Sequence, residues 1–157
     1  MTNTMKAALV VGVTAFVMEP VASVVHRFFG HGPGWGLHEE HHQPTRALER
    51  NDLIPLAGAA VAMAAFAVGT ASPRHRWLVP VASGVTVYGF LYGLVHDVYI
   101  HRRLPILPRR VRVLEPWRRA HLEHHRTEAA PFGVLLPLRP GWGLAERQVV
   151  GSPLEWL

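Results

Sequence analysis

The sequence predicts an all-α, integral membrane helical bundle, and two observations carry that prediction. Apolar residues make up 49% of the 157 positions and charged residues only 17%, against the ~25% charge usual in a soluble globule. The apolar residues are also concentrated. Residues 53–71 and 77–95 are nineteen residues each and carry no charge, close to the ~20 needed to cross a bilayer as a helix. By length the chain is one domain, residues 1–157. It has no cysteine, which excludes disulfides, thiolate zinc sites and iron–sulfur clusters. Any electrons it uses must come from another molecule.

Taken in chain order, the first candidate span is residues 7–25, interrupted only by Glu19 and Pro20. Lys6 before it suggests a signal peptide, but the length, the embedded Glu19 and the histidines that follow predict a retained anchor. The second and third spans are joined by "SPRHR" and its flanks, so they form a tight hairpin. Three crossings place residues 26–52 and 96–157 on one face of the membrane. Thirteen of the sixteen Lys and Arg lie in those two segments, leaving Lys6, Arg74 and Arg76 opposite. The positive-inside rule makes the arginine-rich face cytoplasmic, and the expected location is the plasma (inner) membrane. Residues 129–138 are too few for a clear fourth crossing and read as re-entrant or interfacial.

The net charge of +5 and a pI of 10.7 would suggest nucleic acid in a soluble protein. In a membrane chain the arginines read instead as an orientation signal set against anionic lipid. They also suit an acidic electron-transfer protein.

Ten of the eleven histidines fall in two runs, "HRFFGHGPGWGLHEEHH" from His26 to His42, and "HDVYIH" with "HLEHH" from His96 to His125. Each run reads H-x4-H and then H-x2-H-H. On a helix, positions i, i+3 and i+4 share a face, so His38, His41 and His42 form one trio and His121, His124 and His125 another. Each trio is expected to grip one ion. The pairs His26/His31 and His96/His101 differ, because five residues on a regular helix is a rotation of about 140°. Their rings converge only if the helix ends or bulges between them, and Gly30, Gly32, Pro33 and Gly34 supply a break in the first pair. Ten imidazoles exceed what one ion takes, whereas two ions with about five each keep open positions. Imidazole suits iron, zinc, copper and nickel alike. The remaining histidine, His75, falls on the opposite side of the membrane and is no ligand candidate.

Four polar residues are candidates to support these ligands from behind. Glu19 lies seven residues before His26, nearly aligned with it on one helix, and carboxylates inside a span are usually functional; its simpler use is a hydrogen bond between helices. Asp52 and Asp97 flank the mouths of the spans, and Asp52 also suits a helix N-terminus. Tyr92 lies one turn before His96, to hydrogen-bond near the site or to pack. The small residues from Ala57 to Ala65 are expected to let helices approach closely, the alternative being a groove left for a long, thin lipid.

The order H-x4-H, H-x2-H-H, H-x4-H, H-x2-H-H in so short a chain resembles the bacterial β-carotene hydroxylase family, within the fatty acid hydroxylase superfamily of membrane di-iron enzymes. The likeness extends to "NDL" after the first run, to "YGFLYGLVHDVYIHRR", "AHLEHH" and "PFGVLLPL", and covers roughly residues 10–140. It implies two non-haem iron ions on the ten histidines and O2 as co-substrate. Electrons would come from ferredoxin or a similar donor, and a carotenoid substrate from the bilayer. The implied reaction is hydroxylation of β-ionone rings at C3, taking β-carotene through β-cryptoxanthin to zeaxanthin. Rival readings are the same chemistry on an acyl chain or sterol, and a non-catalytic metal-handling membrane protein. All spans together hold a single ionisable residue, Glu19, which weakens the last reading.

Overall fold

The computed structural model describes residues 2–43 and 48–136. Five α-helices account for most of them, and three are long and apolar enough to cross a membrane: Asn3–Gly30, Arg50–Ala71 and Leu78–Ile100. The first is α1 (Asn3–Val24), capped by Thr2, whose hydroxyl accepts the Met5 N–H at 3.2 Å. The other two are α3 (Leu53–Ala71) and α4 (Leu78–Gly93). Their side chains face outward: Phe16 is 67% exposed, Met63 71% and Phe90 69%, as befits helices whose solvent is lipid.

α4 lies against both α1 and α3. A Cβ on Gly84 would sit 2.5 Å from Thr14 Cβ and 2.7 Å from the Val11 carbonyl, and one on Gly69 would meet Val79 at 3.0 Å. These glycines set the close approach of the helices, as small residues do in membranes. The expectation that the stretch from Ala57 to Ala65 does so is corrected. Only Ala62 in that stretch is buried, and a Cβ on Gly58 would meet nothing within 4 Å. An alanine-rich run minimises bulk on every side, so it carries no information about which side meets a partner.

Two spans end alike. α1 runs on into a π-helical turn, Val25–Gly30, and α4 into another, Leu94–Ile100. The short α2 (Trp35–His38) continues as a 3₁₀ turn over Glu39–His42, and α5 (Glu115–Thr127) closes the same end of the molecule. Glu128, at φ 54°, ends α5 in the left-handed conformation. The chain then doubles back, and residues 131–136 form no helix. Instead they tuck inward: the Trp117 indole N–H donates to the Leu135 carbonyl at 2.6 Å, and the Leu136 N–H donates to Glu19 at 2.9 Å. In the sense of folding back onto the bundle, residues 131–136 are re-entrant. The rest of the 129–138 expectation, Pro137 and Leu138, lies outside the described residues. Tyr99, Ile100, Leu122 and Val134 form the buried core, placed at the histidine-bearing end rather than between the spans.

Candidate metal centre

The π-helical turns answer the question of the misaligned pairs. The His31 N–H donates to the His26 carbonyl at 3.0 Å, and the His101 N–H to the His96 carbonyl at 2.9 Å. An i→i+5 hydrogen bond makes the two histidines neighbours one turn apart, the widened turn often found at functional sites. A regular α-helix would have pointed them apart.

All ten clustered histidines converge, in two groups. His26, His31, His38, His42 and His124 bring ring nitrogens within 4.8 Å of one another, and so do His41, His96, His101 and His121. His125 joins the second group with its Nε2 2.8 Å from that of His121, and its ring stacks on His42 at 4.4 Å. The two groups thus share a wall. His75 bonds to Ser72 in the far hairpin, as its position in the sequence predicts.

The grouping corrects one expectation. Neither H-x2-H-H trio serves a single ion position. In each, the outer i,i+4 pair stays together and the histidine between them crosses over: His38 and His42 face one position while His41 faces the other, and His121 and His125 face the second while His124 faces the first. Rings at i+3 and i+4 diverge enough around a helix to straddle two points lying side by side above it.

The atoms that meet are Nε2. His26 and His38 approach to 2.9 Å, His26 and His124 to 3.1 Å, and His31 and His124 to 3.1 Å. In the second group His41 and His96 lie 3.0 Å apart, and His101 and His121 2.9 Å. Behind five of the rings, the Nδ1 atom is engaged by a group that accepts. His26 Nδ1 donates to the Phe132 carbonyl at 2.8 Å and His124 Nδ1 to the Ala129 carbonyl at 2.6 Å. His38 Nδ1 meets Asn51 Oδ1 at 2.7 Å, His41 Nδ1 meets Glu49 at 2.8 Å, and His96 Nδ1 meets Asp97 at 2.8 Å. A neutral imidazole has one N–H. With that proton on Nδ1, the Nε2 of each of these five rings is a bare lone pair.

Lone pairs facing each other at 3 Å repel, and protonating the rings does not relieve this. Burial, reinforced by the neighbouring imidazoles, pushes His38 down to about 4 and His42 to about 3, and burial alone dominates in pushing His124 to about 4. The same burial holds His101, His121 and His125 far below the ordinary histidine range, and lowers His31. What satisfies such a set is a cation between the nitrogens. An ion about 2.1 Å from each nitrogen, with ligands at right angles, separates neighbouring nitrogens by about 3.0 Å. The donors therefore fit a metal ion at each position.

The four supporting candidates fare differently. Asp97 bonds His96 directly, and the Tyr92 ring stacks on His96 at 4.6 Å. Asp52 bonds no histidine; it takes both arms of Arg103 at 2.6 Å, and Arg103 in turn stands 3.8 Å from Asp97. Glu19, buried at 4% exposure, accepts from the Tyr88 hydroxyl at 2.8 Å and from the Leu136 N–H. Seven residues align it with His26 along α1, but the re-entrant segment comes between. Two acceptors behind the ligands, Glu49 and Asn51, were missed from sequence; their signal is the polar "ERND" directly before an apolar span.

Comparison with known proteins places this arrangement. No family model and no solved structure matches the chain. A curated β-carotene hydroxylase of Pseudescherichia vulneris is 40% identical over 141 residues, covering 85% of this chain and 78% of the relative. The β-carotene hydroxylase of Paracoccus sp. (strain N81106 / MBIC 01143) is 41% identical over 124 residues, 76% of this chain and 75% of the relative. The chloroplastic β-carotene 3-hydroxylase of Gentiana lutea is 34% identical over 140 residues, 82% of this chain but 42% of that longer protein. With identity at this level across most of the length, and ten histidines gathered at the mouths of its spans, the chain belongs to the β-carotene hydroxylase family.

Proposed function

We propose that this protein is a membrane hydroxylase that adds a hydroxyl group at C3 of carotenoid β-ionone rings, converting β-carotene through β-cryptoxanthin to zeaxanthin. The observation that carries the reading is the convergence of unprotonated Nε2 atoms into two groups, together with relatives named for that reaction. His26, His31, His38, His42 and His124 would hold one iron, and His41, His96, His101, His121 and His125 the other. Iron so held supplies the activation of O2, with electrons from ferredoxin or a similar external donor.

The chain's own residues contribute orientation and dryness. The Nδ1 acceptors fix the tautomer and aim of His26, His38, His41, His96 and His124, which sharpens ligand geometry. Phe132 packs edge-on against His26 and His124, with centroids 5.6 and 5.2 Å away, and helps exclude water from the centre. An insoluble substrate enters from the bilayer, so ligands at the ends of spans lie within its reach. The histidine-bearing face is cytoplasmic, following the arginines, and the membrane is the plasma (inner) membrane.

The test is expression in a bacterium that accumulates β-carotene. Zeaxanthin should appear, with β-cryptoxanthin as intermediate, and the purified protein should carry two irons per chain. Unchanged carotenoid in cells containing iron-loaded protein would overturn the substrate; one ion per chain would overturn the two-ion centre.

A further inference from the structure

The two histidine groups are matched in ring number but not in what stands behind the rings. Behind the first group the identified Nδ1 acceptors are neutral: the Phe132 and Ala129 carbonyls and the Asn51 amide. Behind the second they are carboxylates, Glu49 on His41 and Asp97 on His96. Glu49 is buried, its side chain 2% exposed, and its partners are the His41 ring and the backbone N–H of Asp52. Asp52 adds a third carboxylate on that side, and Arg103 is the cation that bonds it. Near the first group, Glu128 acts on His31 from an exposed position, where solvent screens its charge.

A carboxylate behind an imidazole draws the Nδ1 proton toward itself and makes Nε2 the stronger donor; losing such a partner typically costs about 10–100-fold in metal affinity. A buried negative charge also needs positive charge nearby, because isolated ions are costly away from water. Arg103, bonded to Asp52 and 3.8 Å from Asp97, offsets part of the three carboxylates' charge; a dication held by His41 and His96 supplies the rest. The first position has no comparable demand.

We infer that the two metal positions are unequal: Glu49 and Asp97 make the position of His41, His96, His101 and His121 the tighter one, which fills first. This rests on the metal-centre reading above and adds to it two positioning residues and an order of loading.

The experiment is calorimetric titration of chelator-stripped, full-length protein in detergent with Co2+ at one neutral pH. Wild-type protein should show two steps separated by about tenfold or more. His31→Ala should remove the weaker step and keep the tighter. Glu49→Gln should weaken the tighter step about tenfold and leave the weaker one in place. Because Glu49→Gln removes a buried charge and risks the fold, the reciprocal variant is the sharper test: Asn51→Asp puts a carboxylate behind His38 and should strengthen the weaker step. Two wild-type steps of equal affinity, or variants that move both steps alike, would overturn the inference. Absence of any bound Co2+ would instead overturn the metal centre itself.

Discussion

Glu19, midway along the first span, accepts the backbone N–H of Leu136 at 2.9 Å across 117 residues of sequence. The same carboxylate takes the Tyr88 hydroxyl from α4, so one buried group ties α1, α4 and the re-entrant segment together. Two residues along that segment from its core member Val134, the Phe132 carbonyl receives the proton of His26 Nδ1. Glu19 thus reaches the histidines through the backbone it anchors.

Removing the carboxylate should therefore loosen the metal end as well as the fold. Glu19→Ala leaves the part-buried Leu136 N–H and the buried Tyr88 hydroxyl without their shared acceptor, a loss of about 1–3 kcal/mol. Tyr88→Phe deletes one hydrogen bond and leaves one acceptor position spare, at about 0.5–1.5 kcal/mol. Thermal unfolding in detergent should rank wild type above Tyr88→Phe above Glu19→Ala. An unshifted midpoint for Glu19→Ala would mean the anchor carries no weight.

The crossing of His41 and His124 yields a prediction that sequence position would get wrong. His26 and His124 belong to different runs, 98 residues apart, yet their Nε2 atoms meet at 3.1 Å. His26→Ala and His124→Ala should each reduce bound iron toward one ion per chain, and the double variant should lose no more than either single change. His124→Ala with His41→Ala, which strikes both positions, should lose nearly all of it. Elemental analysis of purified protein decides the matter; residues serving one ion are non-additive, and residues serving different ions add. If His124→Ala paired with His121→Ala were the non-additive combination, each run would serve its own ion after all.

The spans and the histidines were legible because both are matters of composition and spacing. Nineteen uncharged residues leave a chain little choice in a membrane, and His38 with His42, or His121 with His125, share a face on an α-helix. The pairing across runs was not legible. Spacing says that His41 lies beside His38 but not which of two neighbouring points its ring meets, a matter of a few tens of degrees set by how α2 and α5 dock. The π-helical turns were half legible: the pairs at i,i+5 demanded a departure from regular helix, and the i→i+5 hydrogen bonds supply it. Glu49 and Asn51 were hidden by loop geometry, since nothing in a residue count from His41 fixes where a chain returns.

Helix packing offers a paired test. Gly84→Ala should cost about 1–3 kcal/mol, the usual penalty for overpacking, because the new Cβ meets Thr14 and the Val11 carbonyl. Gly58→Ala, in open space on α3, should be neutral or stabilising by up to about 1 kcal/mol, since alanine is the better helix former. The unfolding midpoints of the two variants should move in opposite directions or differ clearly. Equal destabilisation would mean that Gly84 does not set the α1–α4 contact.

Acid should weaken the metal-free protein, and the sign follows from burial. His38, His42 and His124 have folded values of about 4, 3 and 4, against an ordinary 6.5. Between 6.5 and those values the unfolded chain binds protons that the folded chain refuses, so stability falls as pH falls. For these depressed histidines the folded state is fully favoured above about 6.5, and the loss grows until the pH passes about 3. Iron-loaded protein has a further reason to fail in acid, because protons compete for the same Nε2 lone pairs. Unfolding midpoints of chelator-treated protein should therefore be level from pH 8 to about 7 and decline steadily below about 6.5. The loaded protein should begin higher and release its metal over the acid limb. A midpoint of metal-free protein that rises on acidification would mean the rings are charged in the folded state, and the bare lone pairs on which the metal centre depends would be absent.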